Sequence, residues 1–66
     1  MENIEHRLMR RKDVENMTGL SRSRLYALMD IGQFPRPVTL GTMSVAWVQA
    51  EVQEWIAGKI AERNGA

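Results

Sequence analysis

Two arginines stand on either side of a serine in the run Thr18-Gly19-Leu20-Ser21-Arg22-Ser23-Arg24-Leu25-Tyr26. Gly19 and Ser21 are end and start signals for helices, so Arg22 and Arg24 fall in a first helical turn. Cations are usually favoured at the opposite end, because a helix N-terminus already carries partial positive charge. Their position points to a negatively charged ligand. On a wheel of about 100° per residue, Leu25, Leu28 and Met29 fall together as a core stripe. The opposite side carries Ser23, Tyr26, Ala27 and Asp30, with Arg22 and Arg24 on its two edges. Guanidinium forks, a hydroxyl and a phenol are groups that bind phosphate oxygens and base edges. The helix N-terminus adds its own attraction for phosphate. Without further support, two solvated arginines after a plain serine cap would account for the same residues.

Other candidate chemistry is sparse. The chain has no cysteine and one histidine, His6, which leaves no thiolate site and few zinc ligand sets. His6 lies among polar residues and reads as solvated. Glu51 and Glu54 have no nucleophile or histidine beside them, and helix-dipole compensation explains them. Gly41-Thr42-Met43-Ser44 is too short and isolated for a phosphate-binding loop and reads as a turn. Trp47 and Trp55 could stack on bases, but their spacing relative to Val45, Val52 and Ile56 assigns them to the core. No catalytic constellation is present. The expectation is a non-enzyme with neither metal nor cofactor.

These side chains need a frame. Arg11 to Thr18 reads as a short helix, with Val14 and Met17 spaced to share a face and Gly19 as its C′ residue. Leu20 would fold back on it. Ser21 caps a second helix that runs to about Ile31 and ends at Gly32. Two helices joined by so short a turn make a helix-turn-helix. Pro35 and Pro37 exclude helix next, and Phe34 between turn signals looks like an apolar anchor. Val38 and Leu40 alternate with Thr39, and Val45 and Trp47 alternate with Ala46, on either side of the turn. That pattern predicts a two-stranded hairpin. A lone hairpin is marginal in water, so its apolar face must pack on the helices. Val52, Trp55, Ile56 and Ile60 give a third helix from about Gln49 to Arg63. Ile4 and Leu8 add an extended lead-in. Residues 1–7 and 64–66 are expected to be loose ends.

Sixty-six residues make one domain, near the lower limit for folding without staples. Net charge is only +1, but its distribution is uneven. From Arg7 to Arg36 there are seven basic residues against three acidic ones. The remainder has two basic against five acidic. A basic first half is the outline of a polyanion binder, though a solvated charged surface would look the same. No apolar run approaches the ~20 residues of a membrane span, and no signal-peptide pattern opens the chain. The expected setting is a reducing cytoplasm.

The run from Leu8 to Ala57 resembles the AlpA family of prophage and plasmid regulators, small proteins related to the MerR-type winged helices and to phage excisionases. The resemblance rests on Val14, Thr18-Gly19-Leu20-Ser21, Tyr26, Gly32, Phe34-Pro35, Pro37, Leu40-Gly41, Trp47, Glu51-Val52 and Trp55 in that order. Met43 at the wing tip and Ala27 after the tyrosine depart from the family, where basic residues are usual. The resemblance implies a mainly α fold with a small β-hairpin, a winged helix-turn-helix. It implies site-specific binding of double-stranded DNA by a transcription regulator of a mobile element, in the bacterial cytoplasm on the nucleoid. The recognition helix, about 21–31, would enter the major groove, and the wing, about 38–47, would follow the backbone. Taken with the residues themselves, the expected contacts are Arg11, Lys12, Ser21, Arg22, Ser23, Arg24, Tyr26, Arg36, Thr42 and Ser44, with Arg10 as a further phosphate ligand. Self-association on repeated sites is expected, because one short helix covers few base pairs. The alternatives are a recombination directionality factor and a protein-interaction module such as an antirepressor.

Overall fold

The computed structural model describes residues 5–65. Helix α1 spans Arg11–Thr18 and α2 spans Arg22–Asp30, joined by residues 19–21. Strand β1 is Leu8–Met9, β2 is Val38–Gly41 and β3 is Ser44–Val48. Helix α3 spans Gln49–Gly65. The strands form one antiparallel sheet in the order β1-β3-β2. The fold is mainly α with a small β wing, a helix-turn-helix followed by a hairpin and a closing helix.

The turn forms as its residues dictate. Gly19 adopts φ +77°, and its N–H donates to the Glu15 carbonyl at 2.8 Å. Only glycine enters that left-handed region without cost. Thr18 Oγ1 donates to the Val14 carbonyl at 2.8 Å and accepts from Leu20 N–H at 3.2 Å. Leu20 is half-buried against the core. Ser21 caps α2, its Oγ accepting from Arg24 N–H at 3.1 Å. At the far end, Gly32 at φ +73° lets the Gln33 N–H reach back to the Leu28 carbonyl at 2.8 Å.

One core unites the elements. Met9, Val14, Leu25, Leu28, Met29, Phe34, Trp47 and Val52 are buried together, with Leu20, Val45, Trp55 and Ile56 packed on them. Both tryptophans therefore serve the interior. Their indole N–H groups also fasten the loop before the wing. Trp47 Nε1 donates to the Pro35 carbonyl at 3.0 Å, and Trp55 Nε1 donates to the Gln33 carbonyl at 2.7 Å. Between those two anchors Phe34 meets the Trp55 ring edge-on at 4.9 Å.

Five sequence-based expectations need correction. The sheet has a third strand, because the lead-in residues Leu8 and Met9 pair with Val48 and Trp47, and Met9 enters the core. Ile4 lies outside the described residues. Val38 and Leu40 do not pack inward; they remain 39% and 50% exposed. The helices α1 and α3 pack on the central strand β3, so β2 is left as an edge. Ala46 is buried along with Trp47, which breaks the expected alternation in β3. Met17 shares no interior face with Val14. It stays 39% exposed, at a groove that Trp55, Ile56 and Ile60 also line. The third helix continues past Arg63 to Gly65.

Candidate nucleic-acid interface

Helix α2 has the division that its wheel requires. Leu25, Leu28 and Met29 are buried, while Arg22, Ser23, Arg24, Ala27 and Asp30 are exposed. Arg22 and Arg24 stand free of carboxylate partners among the described residues. The N-cap bond from Ser21 fixes the first turn, so both arginines project from a defined backbone. The Arg22 guanidinium carbon lies 6.0 Å from the centroid of the Tyr26 ring. That contact is long and worth little at an exposed site, but it keeps the two side chains on one edge of the helix.

Tyr26 is less available than its wheel position suggests. Its ring meets the Trp47 ring edge-on at 6.5 Å, and the residue is only 36% exposed. The aromatic contact links α2, the recognition-helix candidate, to β3 of the hairpin. The sequence alone offers no way to know this, because Trp47 lies on a different element.

The basic cluster before and within α1 separates into three roles. Arg10 turns away from α1 toward the hairpin, where its Nη1 donates to Ser44 Oγ at 3.0 Å and to the Val45 carbonyl at 3.3 Å. It braces the wing. Its backbone N–H donates to the Asp13 carboxylate at 3.4 Å, closing the first turn of α1. Arg11 donates to the Glu15 carboxylate at 2.9 Å, one helical turn on. Lys12 is exposed with no acidic partner among the described residues. Arg10 and Arg11, both expected as phosphate ligands, thus also have partners within the protein, neutral ones for Arg10 and a carboxylate for Arg11. Sequence order does not reveal the distant acceptors of Arg10 and does reveal, as an i,i+4 pair, that of Arg11.

Arg36 is exposed between Pro35 and Pro37, in the loop that Trp47 and Trp55 fasten. Thr42 is exposed at the hairpin turn, and Ser44 is half-buried at its base. Ser44 Oγ accepts from Arg10 and retains its own hydrogen for donation. The structure thus brings Arg22, Ser23, Arg24 and Tyr26 onto one helix, connects that helix to the wing, and holds Arg36 in the loop leading to it. Glu51 and Glu54 are exposed at the start of α3, as helix-dipole compensation requires. Among the described residues no helix is long and apolar enough to cross a membrane.

Comparison with known proteins shows which family the chain resembles. The family model described as "Prophage CP4-57 regulatory protein (AlpA)" matches residues 7–60. An uncharacterized protein of Enterobacteria phage P4, ORF88, is 46% identical over 60 residues, covering 91% of this chain and 68% of that protein. The DNA-binding transcriptional activator AlpA of Escherichia coli K12 is 32% identical over 57 residues, covering 77% of this chain and 81% of the relative. Matched along nearly all of its helix-turn-helix, wing and closing helix, the chain belongs to the AlpA family of prophage regulatory proteins.

Proposed function

We propose that this chain is a sequence-specific double-stranded DNA-binding regulator of a prophage or other mobile element, acting on the nucleoid in the bacterial cytoplasm. Helix α2 enters the major groove by its N-terminal turn and a half. The hairpin follows the flanking backbone. One observation carries the reading: α2 buries its apolar stripe and leaves a capped N-terminus with two unpaired arginines facing outward. Among the described residues no acceptor explains them. The Escherichia coli relative, a DNA-binding transcriptional activator, supports the same ligand.

Within this reading, Lys12, Arg22, Arg24 and Arg36 neutralise phosphates, and Thr42 and Ser44 donate to them. Ser23 lies at the middle of the exposed face, where base edges are read. Arg24, on the far edge, reaches a phosphate or a guanine at the groove rim. Arg11 contributes less, because Glu15 already neutralises it. A module this small buries roughly 600–1,000 Å² on DNA, so useful specificity comes from copies assembled on repeated sites.

Selection of bound duplexes from a random-sequence pool tests the proposal. A recovered motif of a few base pairs, repeated within each site, is the expected result. Failure to enrich any motif sinks sequence-specific recognition. A protein-interaction module gives a different signature: its complex with a partner survives excess unrelated duplex, whereas a DNA complex is displaced.

A further inference from the structure

Helix α3 runs past the core that holds it. Among its described residues only Val52 is buried, and Trp55 and Ile56 are half-buried. From residue 57 to residue 65 every position is exposed. The apolar stripe does not stop where the core does. Its three- and four-residue spacing continues from Val52 through Trp55 and Ile56 to Ile60, which is 46% exposed. Met17, in the last turn of α1 and 39% exposed, lines the same groove. Scattered apolar side chains are ordinary on a surface, but Met17, Trp55, Ile56 and Ile60 share one groove between two helices. Its length along α3, from Trp55 to Arg63, is ~12 Å at about 1.5 Å per residue. That is room for about two turns of a further helix.

The rim of the groove is cationic. Lys59 and Arg63 stand one turn apart on it, and among the described residues that line it none is acidic. Lys59 Nζ lies 5.5 Å from the centroid of the Trp55 ring and 3.5 Å from Glu62 Oε1. Both partners of that ion pair are exposed, so it holds Lys59 weakly. Arg63 Nε donates to Asn64 Oδ1 at 3.0 Å, a neutral acceptor that leaves the charge in place. An apolar floor beside two cations does not suit a bare polyanion, which gains nothing from Met17 or Ile60. Nor does it suit a second copy set groove to groove across a two-fold axis, because the two Lys59–Arg63 rims would meet. A ligand that uses both features carries apolar side chains and carboxylates on one face.

We propose that the groove between α1 and α3 docks an acidic amphipathic helix of a partner protein. The apolar anchors of that helix, spaced i, i+3 or i+4 and i+7, cover Met17, Trp55, Ile56 and Ile60. Its carboxylates pair with Lys59 and Arg63. Methionine suits such a surface, because its unbranched side chain adapts to the shape that arrives. This goes beyond the DNA reading: it gives the chain a protein partner on a surface that carries none of the residues assigned to duplex.

Selection on the immobilised full chain, from a displayed library of random peptides of about four helical turns, tests the proposal. Recovered peptides should carry Leu, Ile, Phe or Met at helical spacing with Asp or Glu beside them. A labelled synthetic copy, followed by fluorescence anisotropy, should bind Ile60→Glu about 30-fold or more weakly than wild type, as loss of a central anchor requires. The double variant Lys59→Glu/Arg63→Glu should weaken binding roughly tenfold. A copy with Lys in place of its Asp and Glu should bind that double variant better than wild type. Every altered side chain is exposed, and melting curves confirm that each variant is folded. Ile60→Ala, with a smaller loss of affinity, replaces Ile60→Glu should the latter unfold. Failure to enrich any peptide overturns the proposal, as do peptides that lack carboxylates or bind Ile60→Glu as well as wild type. A double variant that loses affinity for duplex rather than for peptide assigns the rim to phosphate, which also overturns it. So does concentration-dependent self-association that Ile60→Glu abolishes, which assigns the groove to a second copy. The peptide measurements use the free protein, so failure to bind any duplex would strike the DNA reading alone.

Discussion

Salt dependence offers the sharpest test of which cations meet phosphate, because the structure changes the count. The sequence offers six candidate cations: Arg10, Arg11, Lys12, Arg22, Arg24 and Arg36. Arg10 keeps its charge, since Ser44 Oγ and the Val45 carbonyl are neutral, but its guanidinium is held against the wing, and Arg11 is paired with Glu15. Four remain, Lys12, Arg22, Arg24 and Arg36. Each phosphate neutralised on B-DNA contributes about −0.9 to the slope of log K against log salt, so the expected slope is about −3.6. Raising KCl from about 50 to about 200 mM should then weaken binding roughly 150-fold. Fluorescence anisotropy of a labelled duplex across that range reads the slope directly. Arg24→Ala should bring it to about −2.7, if Arg24 bonds a phosphate rather than a guanine. Arg11→Ala should leave it unchanged, since Arg11 is already neutralised within α1. Glu15→Gln should release Arg11 and steepen the slope by about 0.9. A slope shallower than about −2, or an Arg11→Ala effect as large as that of Arg24→Ala, refutes the assignment of free and paired cations.

Other residues have separate expected outcomes. Arg22→Ala should weaken binding to all sequences nearly alike. Changes at Ser23, or at Arg24 if it reads a guanine, should relax preference at one or two base pairs by about 1–3 kcal/mol, as seen in selection profiles for each variant. If Arg22→Ala instead shifts the preferred sequence while the other two leave it alone, α2 docks on a different face. Leu25 is fully buried, so Leu25→Ala should cost about 2–5 kcal/mol in a chemical melt, a large share of what a small domain has. Gly19→Ala forces a side chain into φ +77°. It should cost about 1–2 kcal/mol by the same measurement, although no atom crowds the added methyl; a neutral result means that the turn relaxes.

The local grammar of the chain was legible because its signals act within a few residues. Gly19 and Gly32 take the left-handed conformation that ends a helix, and Ser21 caps the next one. The three-and-four spacing of Leu25, Leu28 and Met29 placed the core stripe of α2 correctly, and with it the outward face that carries Arg22, Ser23 and Arg24. The tryptophans were assigned to the interior from their neighbours alone. Family membership was equally legible, since it depends on the order of many weak signals along one chain.

What sequence could not supply were the partnerships between distant segments. Strand β1 is two residues long and has no periodicity to detect; it exists because β3 offers it an edge. Leu40 looks as suitable for burial as Trp47, yet the helices chose β3 and left β2 outside. Arg10 and Lys12 are cations two residues apart and of the same apparent kind, but only the folded chain brings Ser44 and the Val45 carbonyl, 34 and 35 residues away, within reach of Arg10. Tyr26 likewise lost its freedom to Trp47. Helices, caps and faces are set by neighbours in the chain, whereas strand order, wing exposure and the pairing of each charge depend on which surfaces meet when the core closes.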